Sequence, residues 1–204
     1  MREGLAYRSA KRVLDVVLAT CALVVLSPVL AIIACSIWLD DPSAPVLFRQ
    51  RRCGYGGHPF ELLKFRTMVR DADALKESLR ARSEVPWPDF RLAHDPRVTN
   101  LGRFLRRSSL DELPQLWNVL RGEMSLVGPR PTSFDVATYT LWQTGRLDFR
   151  PGVTGPWQVR GRESMDFTER CRLEISFFRR RSLLRELWLL VLTVGCVLKR
   201  TGVA

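Results

Sequence analysis

From Val13 to Leu39 the chain is almost unbroken in apolar residues, interrupted by Asp15, Thr20, Ser27, Pro28 and Ser36. A helix of about 27 residues is long enough to cross a hydrocarbon core of ~30 Å, and a soluble core helix of that length is unusual. The run is too long for the apolar region of a secretory signal, and no convincing small-residue cleavage site follows it, so it reads as part of the mature protein. Ser27-Pro28 falls near its middle. Proline removes a helix hydrogen bond and crowds the preceding turn, which predicts a bend into two arms of ~20 Å, neither able to cross alone. The backbone group freed at the break needs a partner, and the Ser27 hydroxyl is placed to supply one. Arg8, Lys11 and Arg12 before the run, and Arg49, Arg51 and Arg52 after it, hold both flanks on the cytoplasmic side by the charge rule. A helix-break-helix hairpin in one leaflet satisfies these charges, and a proline-kinked spanning helix is the other reading, since proline is tolerated in spanning helices.

A second apolar run, Leu187 to Leu198, is flanked by Arg185 and by Lys199-Arg200. About a dozen residues cannot span a bilayer. With Phe177, Phe178 and Arg179 to Arg181 it reads as an interfacial amphipathic segment, cations at the headgroups and Trp188 at the boundary. A buried C-terminal helix is the other reading.

Charge narrows the partners. Lys and Arg number 32 against 21 Asp and Glu, a formal net charge of +11, so the partner is anionic: nucleic acid, an acidic membrane or phosphorylated substrates. Arginine clusters beside apolar runs favour the membrane, and no recognition-helix or zinc-finger pattern favours nucleic acid. The five cysteines show no metal-ligand spacing, and Cys21, Cys35 and Cys196 lie in apolar segments, as expected of reduced cytoplasmic thiols. His58 and His94 are isolated. A metal, if bound, therefore takes oxygen ligands.

The length suits one domain with a real core, divided as a membrane hairpin over 1–45 and one integrated unit over 46–204. Val46 to Gln50 and Pro59 to Arg66 are predicted strands around the turn Cys53-Gly54-Tyr55-Gly56-Gly57. Lys64 and Arg66 alternate with Phe65 and so share one strand face, available to anionic groups. Asp71 to Arg82 should be a polar helix and the stretch around Pro86, Trp87 and Pro88 a loop. The architecture expected is α/β, mostly α.

The chemistry is concentrated in SSLDELPQLWNVLRGEMSLVGPRP, Ser108 to Pro131. Pro114 fits only a first turn, so a helix should start near Asp111 to Leu113 and stop at Gly122. Leu113, Leu116, Trp117 and Leu120 then form one buried face. Asp111 and Glu112 stand at the positive end of that helix, beside free amide hydrogens, and are expected to be ionised at neutral pH. Two adjacent carboxylates suit Mg2+, which keeps waters and takes one or two carboxylates plus substrate phosphates. Arg103, Arg106 and Arg107 precede the pair, and Arg130 follows in a proline-stiffened turn suited to bidentate phosphate contact. A capped helix with a solvated acidic end is the plainer reading of the pair alone.

KRVLDVVLA (11–19), LLKFRTM (62–68), DPRVTNLGRFLRRSSLDELPQLWNVLRGEMSLVGPRP (95–131) and RPGVTGPWQVRGR (150–162) together resemble the bacterial sugar transferases, the monotopic phosphoglycosyl transferases. The resemblance implies a catalytic domain on the cytoplasmic face of the bacterial inner membrane, anchored by a re-entrant hairpin broken at Ser27 and Pro28. It implies transfer of a sugar phosphate from a UDP-sugar to a polyprenol phosphate, initiating exopolysaccharide, O-antigen or glycoconjugate synthesis. Asp111 would be the nucleophile, Glu112 its partner, and both would hold Mg2+. Lys64, Arg66, Arg106, Arg130 and Arg162 would line the substrate phosphates. Asp135 and Glu123, though close to the motif, read as structural or solvated. Partners are then the two substrates and phospholipid, without nucleic acid, and a homo-oligomer is compatible. The chain departs from longer members of the family by lacking a multi-helix N-terminal membrane domain, as expected of a small form or of a catalytic fragment. The rivals are a basic, non-enzymatic membrane adaptor and, among enzymes, a direct one-step transferase.

Overall fold

The computed structural model describes residues 5–80, 83, 92, 94–160 and 165–199. Its longest element, α1 (Leu5–Asp40), is a single helix that runs through Pro28. The expected interruption is replaced by a local repair. Pro28 has no amide hydrogen for the carbonyl of Val24, and the Ser27 hydroxyl donates to that same oxygen at 2.8 Å. The two separate arms predicted at Ser27-Pro28 are thus one hydrogen-bonded element.

α1 docks at both ends. Asp15 and Ala19 are buried in its first half, Ile33 and Ile37 in its second, while Val24, Val25 and Ile32 between them are exposed. Ala19 joins a core of Leu62, Leu116, Val119, Met124, Leu126 and Phe178, whereas Ile33 and Ile37 join Phe65 and Leu105. Both clusters belong to the body that follows.

That body is small pieces of sheet wrapped by helices. β1 (Leu47–Cys53) and β2 (Pro59–Phe65) form the predicted antiparallel hairpin, with Leu47 opposite Phe65 and Cys53 opposite Pro59. The short α2 (Ala72–Leu79) is the expected polar helix, and the loop expected around Pro86 to Pro88, like the Arg82 end of that helix, lies outside the described residues. α3 (Asn100–Arg107) is capped by the Thr99 hydroxyl, which accepts from the Gly102 amide at 2.9 Å. Only glycine fits at 102, because a Cβ there would lie 2.0 Å from the Thr67 carbonyl oxygen. α4 (Gln115–Arg121) ends on Gly122 in the left-handed region, φ 81°, as its position in the motif predicts. β3 (Ser125–Val127) pairs in parallel with β4 (Gly152–Thr154), followed by α5 (Pro156–Arg160), α6 (Phe167–Arg179) and α7 (Leu183–Lys199).

Two packing expectations are corrected. The inner face of α4 is Gln115, Leu116, Asn118 and Val119, so Trp117 points outward at 53% exposure instead of completing a leucine stripe. Asn118 is the cause. Fully buried, it accepts from the Leu63 amide at 3.0 Å and donates to the Glu61 carbonyl at 2.7 Å, lashing α4 to β2 through the interior. Phe178, expected to belong to the interfacial segment, is a core residue, 1% exposed. α7 combines both readings made of it. Leu189 and Glu186 are buried on one face, while Leu184, Trp188, Val191 and Val194 are exposed on the other.

Asn118→Ala would leave the Leu63 amide and the Glu61 carbonyl without their partner. At about 1–3 kcal/mol for each buried unsatisfied group, a stability loss of roughly 2–4 kcal/mol is expected, measurable by thermal unfolding.

Candidate active site

The acidic pair lies on a 3₁₀ turn, Leu110–Glu112, between α3 and α4. Ser109 introduces it with φ 55°, the only left-handed residue other than glycine among the described residues. Non-glycine residues rarely adopt that conformation, so the reversal that presents the pair is held by its surroundings.

The two carboxyls have different environments. Glu112 Oε1 accepts from Lys64 Nζ and from Arg130 Nη2, each at 2.8 Å, and Arg130 Nη1 approaches Oε2 at 3.4 Å. Burial opposes its ionisation, but the two cations outweigh that and hold its pKa far below the usual carboxylate range. Asp111, 7% exposed, has only Lys64 Nζ at 3.8 Å from Oδ2, and among the described residues nothing hydrogen-bonds its carboxylate. Burial, helped by the charge on Glu112, raises its pKa above the ordinary value against the pull of Lys64, Arg106 and Arg130. The expectation of two equivalent carboxylates held charged by a helix end is therefore corrected: basic side chains brought in from distant segments hold one firmly ionised and leave the other with only the looser contact to Lys64.

Both face a cavity of about 780 Å³ whose wall also includes Lys64, Arg66, Arg106 and Arg130. Arg106 reaches it from α3, held by Nε donating to the Thr67 hydroxyl at 2.9 Å, whereas Arg103 and Arg107 on the same helix are exposed. Arg130 spends its planar fork on Glu112 and lies 5.8 Å from the centre of the Trp157 ring. Arg66 has a different employment: it donates to the carbonyls of Ile37, Asp41 and Pro45 at 2.8–3.0 Å and so closes the end of α1. Arg162 lies outside the described residues. Asp135 accepts from the Ala137 amide and Glu123 from Asn118, both structural as expected.

The donor set fits Mg2+ in one respect. No group of three His, Cys, Asp or Glu side chains converges among the described residues, but Mg2+ needs only one or two carboxylates with phosphates and water, and Asp111 has its oxygens uncommitted. Sequence reasoning passed over two residues behind the site, Arg146 and Glu174, both buried and in contact with the Arg130 backbone. Glu174 did leave a trace: it stands on the buried stripe of α6 with Cys171, Ile175 and Phe178, where an unpaired charge would be prohibitive.

The cationic cavity with its acidic centre stands in a chain whose first helix is long and apolar enough to cross a membrane. The profile of the bacterial sugar transferases matches residues 6–200, and the chain belongs to that family. It is 39% identical to the undecaprenyl-phosphate galactose phosphotransferase of Salmonella typhimurium over 99% of its own length and 44% of that protein's. It is 42% identical to the UDP-glucose:undecaprenyl-phosphate glucose-1-phosphate transferase of Caulobacter vibrioides over 92% of this chain and 69% of the relative. Against the exopolysaccharide production protein ExoY of Rhizobium meliloti the identity is 37%, covering 95% of this chain and 87% of the relative. The chain spans less than half the length of several other curated relatives.

Asp111→Asn tests the asymmetry of the pair without reference to turnover. A carboxyl whose folded pKa is raised destabilises the fold when ionised, from the unfolded pKa upward. The variant should therefore melt higher than the unmodified protein at pH 7.5, and the difference should shrink as pH falls through the carboxylate range.

Proposed function

We propose that this chain transfers a sugar 1-phosphate from a UDP-sugar to a polyprenol phosphate, at the cytoplasmic face of the bacterial inner membrane, through a covalent intermediate on Asp111. The observation that carries the reading is the division of labour in the acidic pair: Glu112 is hydrogen-bonded by Lys64 and Arg130 at 2.8 Å, while Asp111 at the cavity has only the looser 3.8 Å contact to Lys64. A carboxylate without a hydrogen-bond partner is a nucleophile as soon as an electrophilic phosphorus is set before it. The names of the relatives support the substrates, since two of them act on undecaprenyl phosphate and one on UDP-glucose.

In the first half-reaction an Asp111 oxygen bonds to the β-phosphorus, and the bond from that phosphorus to the bridging oxygen breaks. UMP leaves with the electron pair. In the second, a phosphate oxygen of the polyprenol phosphate attacks the same phosphorus and the Asp111 carboxylate is released, giving a polyprenyl diphosphate sugar. Arg106 and Lys64 neutralise the phosphate charges, with Arg130 orienting the site through Glu112. Mg2+, when bound, would add charge neutralisation at the diphosphate, with Asp111 and Glu112 its carboxylates. A basic membrane adaptor would have no use for a buried Asp111 with no hydrogen bond to its carboxylate among the described residues.

The way α1 is held supports a one-sided membrane disposition. Its two ends are packed on the same body through Ala19 and through Ile37, so its flanks stay on one side unless that packing is undone. This supports a re-entrant disposition of α1, its exposed Val24, Val25 and Ile32 immersed in one leaflet. The outer face of α7, Leu184, Trp188 and Val191, would lie at the headgroups.

Intact-protein mass spectrometry after adding UDP-sugar without acceptor should show a sugar-phosphate adduct. Asp111→Asn should lose it, and turnover should fall by roughly a thousand-fold or more, about 4 kcal/mol in barrier. Retained turnover in that variant, or turnover without any adduct, rules out the nucleophile. For the topology, single cysteines at positions 5 and 45 in a cysteine-free background should both be labelled from the cytoplasmic side only. Labelling from opposite sides excludes the re-entrant arrangement.

A further inference from the structure

Behind the acidic pair lies an ion pair that the transfer chemistry does not use. Arg146, on the 3₁₀ helix Gln143–Asp148, is 4% exposed, and Glu174, on α6, is completely buried. Taking two charges out of water costs several kcal/mol per ion, and their attraction often does no more than offset it, so stability alone is a weak reason for such a pair.

Its contacts point to another reason. Arg146 Nη2 donates to Glu174 Oε2 at 2.7 Å and to the Arg130 carbonyl at 2.7 Å, while Glu174 Oε1 accepts from the Arg130 amide at 2.9 Å. One ion pair thus grips the backbone of one residue from both sides. Pro129 and Pro131 restrict the turn but have no amide hydrogens, and the Arg130 backbone is fixed through its own N–H and C=O. Tyr139 supports Arg146 through a 3.4 Å contact to Nη1, and the guanidinium lies 5.4 Å from the centre of the Phe167 ring. Arg146 Nε has no hydrogen-bond partner among the described residues, so the guanidinium is aimed at Arg130 and Glu174 at the expense of its own full satisfaction.

We propose that Glu174 and Arg146 are a positioning pair that clamps the Arg130 backbone so that its guanidinium rests on Glu112; the functional consequence rests on reading Asp111 and Glu112 as the transferase centre. Neither residue lines the cavity of about 780 Å³ that holds Asp111 and Glu112. They act through Arg130, which is why the pair is buried behind the Pro-Arg-Pro turn and not in the cavity wall with Lys64 and Arg106.

The test uses the full chain in lipid nanodiscs and removes the pair as a unit, Arg146→Met with Glu174→Leu. Replacing a buried ion pair with apolar residues of similar volume is often neutral for stability, so the fold should survive. Because Pro129 and Pro131 lack amide hydrogens, Arg130 is the only exchanging amide between Gly128 and Thr132. Its hydrogen exchange should speed up by roughly ten-fold or more while the β1–β2 hairpin keeps its protection. Unchanged exchange at Arg130, or an equal increase in the hairpin, overturns the clamp.

A double-mutant cycle gives the functional readout. Removing the pair should cut UMP release roughly ten-fold or more in the unmodified background and less than about two-fold when Arg130 is already lysine, because residues acting through one another are not additive. Equal losses in both backgrounds mean a general structural role and overturn the proposal. Should the double substitution fail to fold, Glu174→Gln, which keeps the side-chain shape, must show the same dependence on Arg130. Complete absence of UMP release by the unmodified chain with every UDP-sugar would sink the transferase reading instead, and the exchange measurement would still decide the clamp.

Discussion

Glu112 could not remain ionised where it sits without Lys64 and Arg130, and those two cations would repel each other without Glu112. The three residues come from different parts of the chain: the end of β2, the 3₁₀ turn after α3, and the Pro-Arg-Pro turn after β3. Bringing them together closes the cavity wall and decides which of two adjacent acids is spent on structure. Asp111, the immediate neighbour, receives Lys64 only at 3.8 Å and has no hydrogen bond to its carboxylate among the described residues. Adjacent carboxyls on one turn would otherwise be interchangeable. What separates them is the aim of two basic side chains, and the left-handed Ser109 sets the turn on which that aim is taken.

The polar residues within and before the apolar run of α1 serve a second set of contacts. Asp15 accepts from the Leu126 amide at 3.2 Å and pairs with Lys11 at 2.6 Å, and Lys11 also reaches the buried Glu186 of α7 at 2.9 Å. Arg12 donates to the carbonyls of Val119 and Leu120, satisfying the end of α4. A helix with the composition of a membrane segment is thereby attached to the body by its first turns, while Arg66 receives its last carbonyls at the other end. The turn that carries the acidic pair follows α3, which packs on the second half of α1 through Leu105, so the long apolar helix and the candidate site share one core. That coupling suits an enzyme whose acceptor would arrive from the lipid.

What could be read from the sequence was local. The stop at Gly122, the β1–β2 hairpin and the use of the Ser27 hydroxyl near Pro28 each depend on neighbours within a few residues, and each is found. The outward turn of Trp117 and the burial of Phe178 were not legible, because spacing defines a stripe but not which side of it meets the core. For α4 the decision is made by Asn118, a polar residue that a hydrophobic pattern assigns to the surface and that is buried because β2 offers it an amide and a carbonyl. Arg66 is the same lesson in the site. Its position on the strand beside Lys64 placed it among the substrate cations, yet three helix-end and loop carbonyls compete for its guanidinium and hold it.

The buried Glu174 shows how such long-range demands could be recognised in a sequence. A glutamate within an apolar stripe one turn from Cys171 and Phe178 has to be charged and paired, or neutral, and pairing requires a buried cation from elsewhere. Arg146 supplies it, and the pair's remaining hydrogen-bonding capacity falls on the backbone of Arg130. The pattern therefore announces that a polar network exists without naming its other members. Those members are chosen by the fold, and here the fold directs the network to the turn whose arginine keeps Glu112 occupied and so leaves Asp111 with only the looser contact to Lys64.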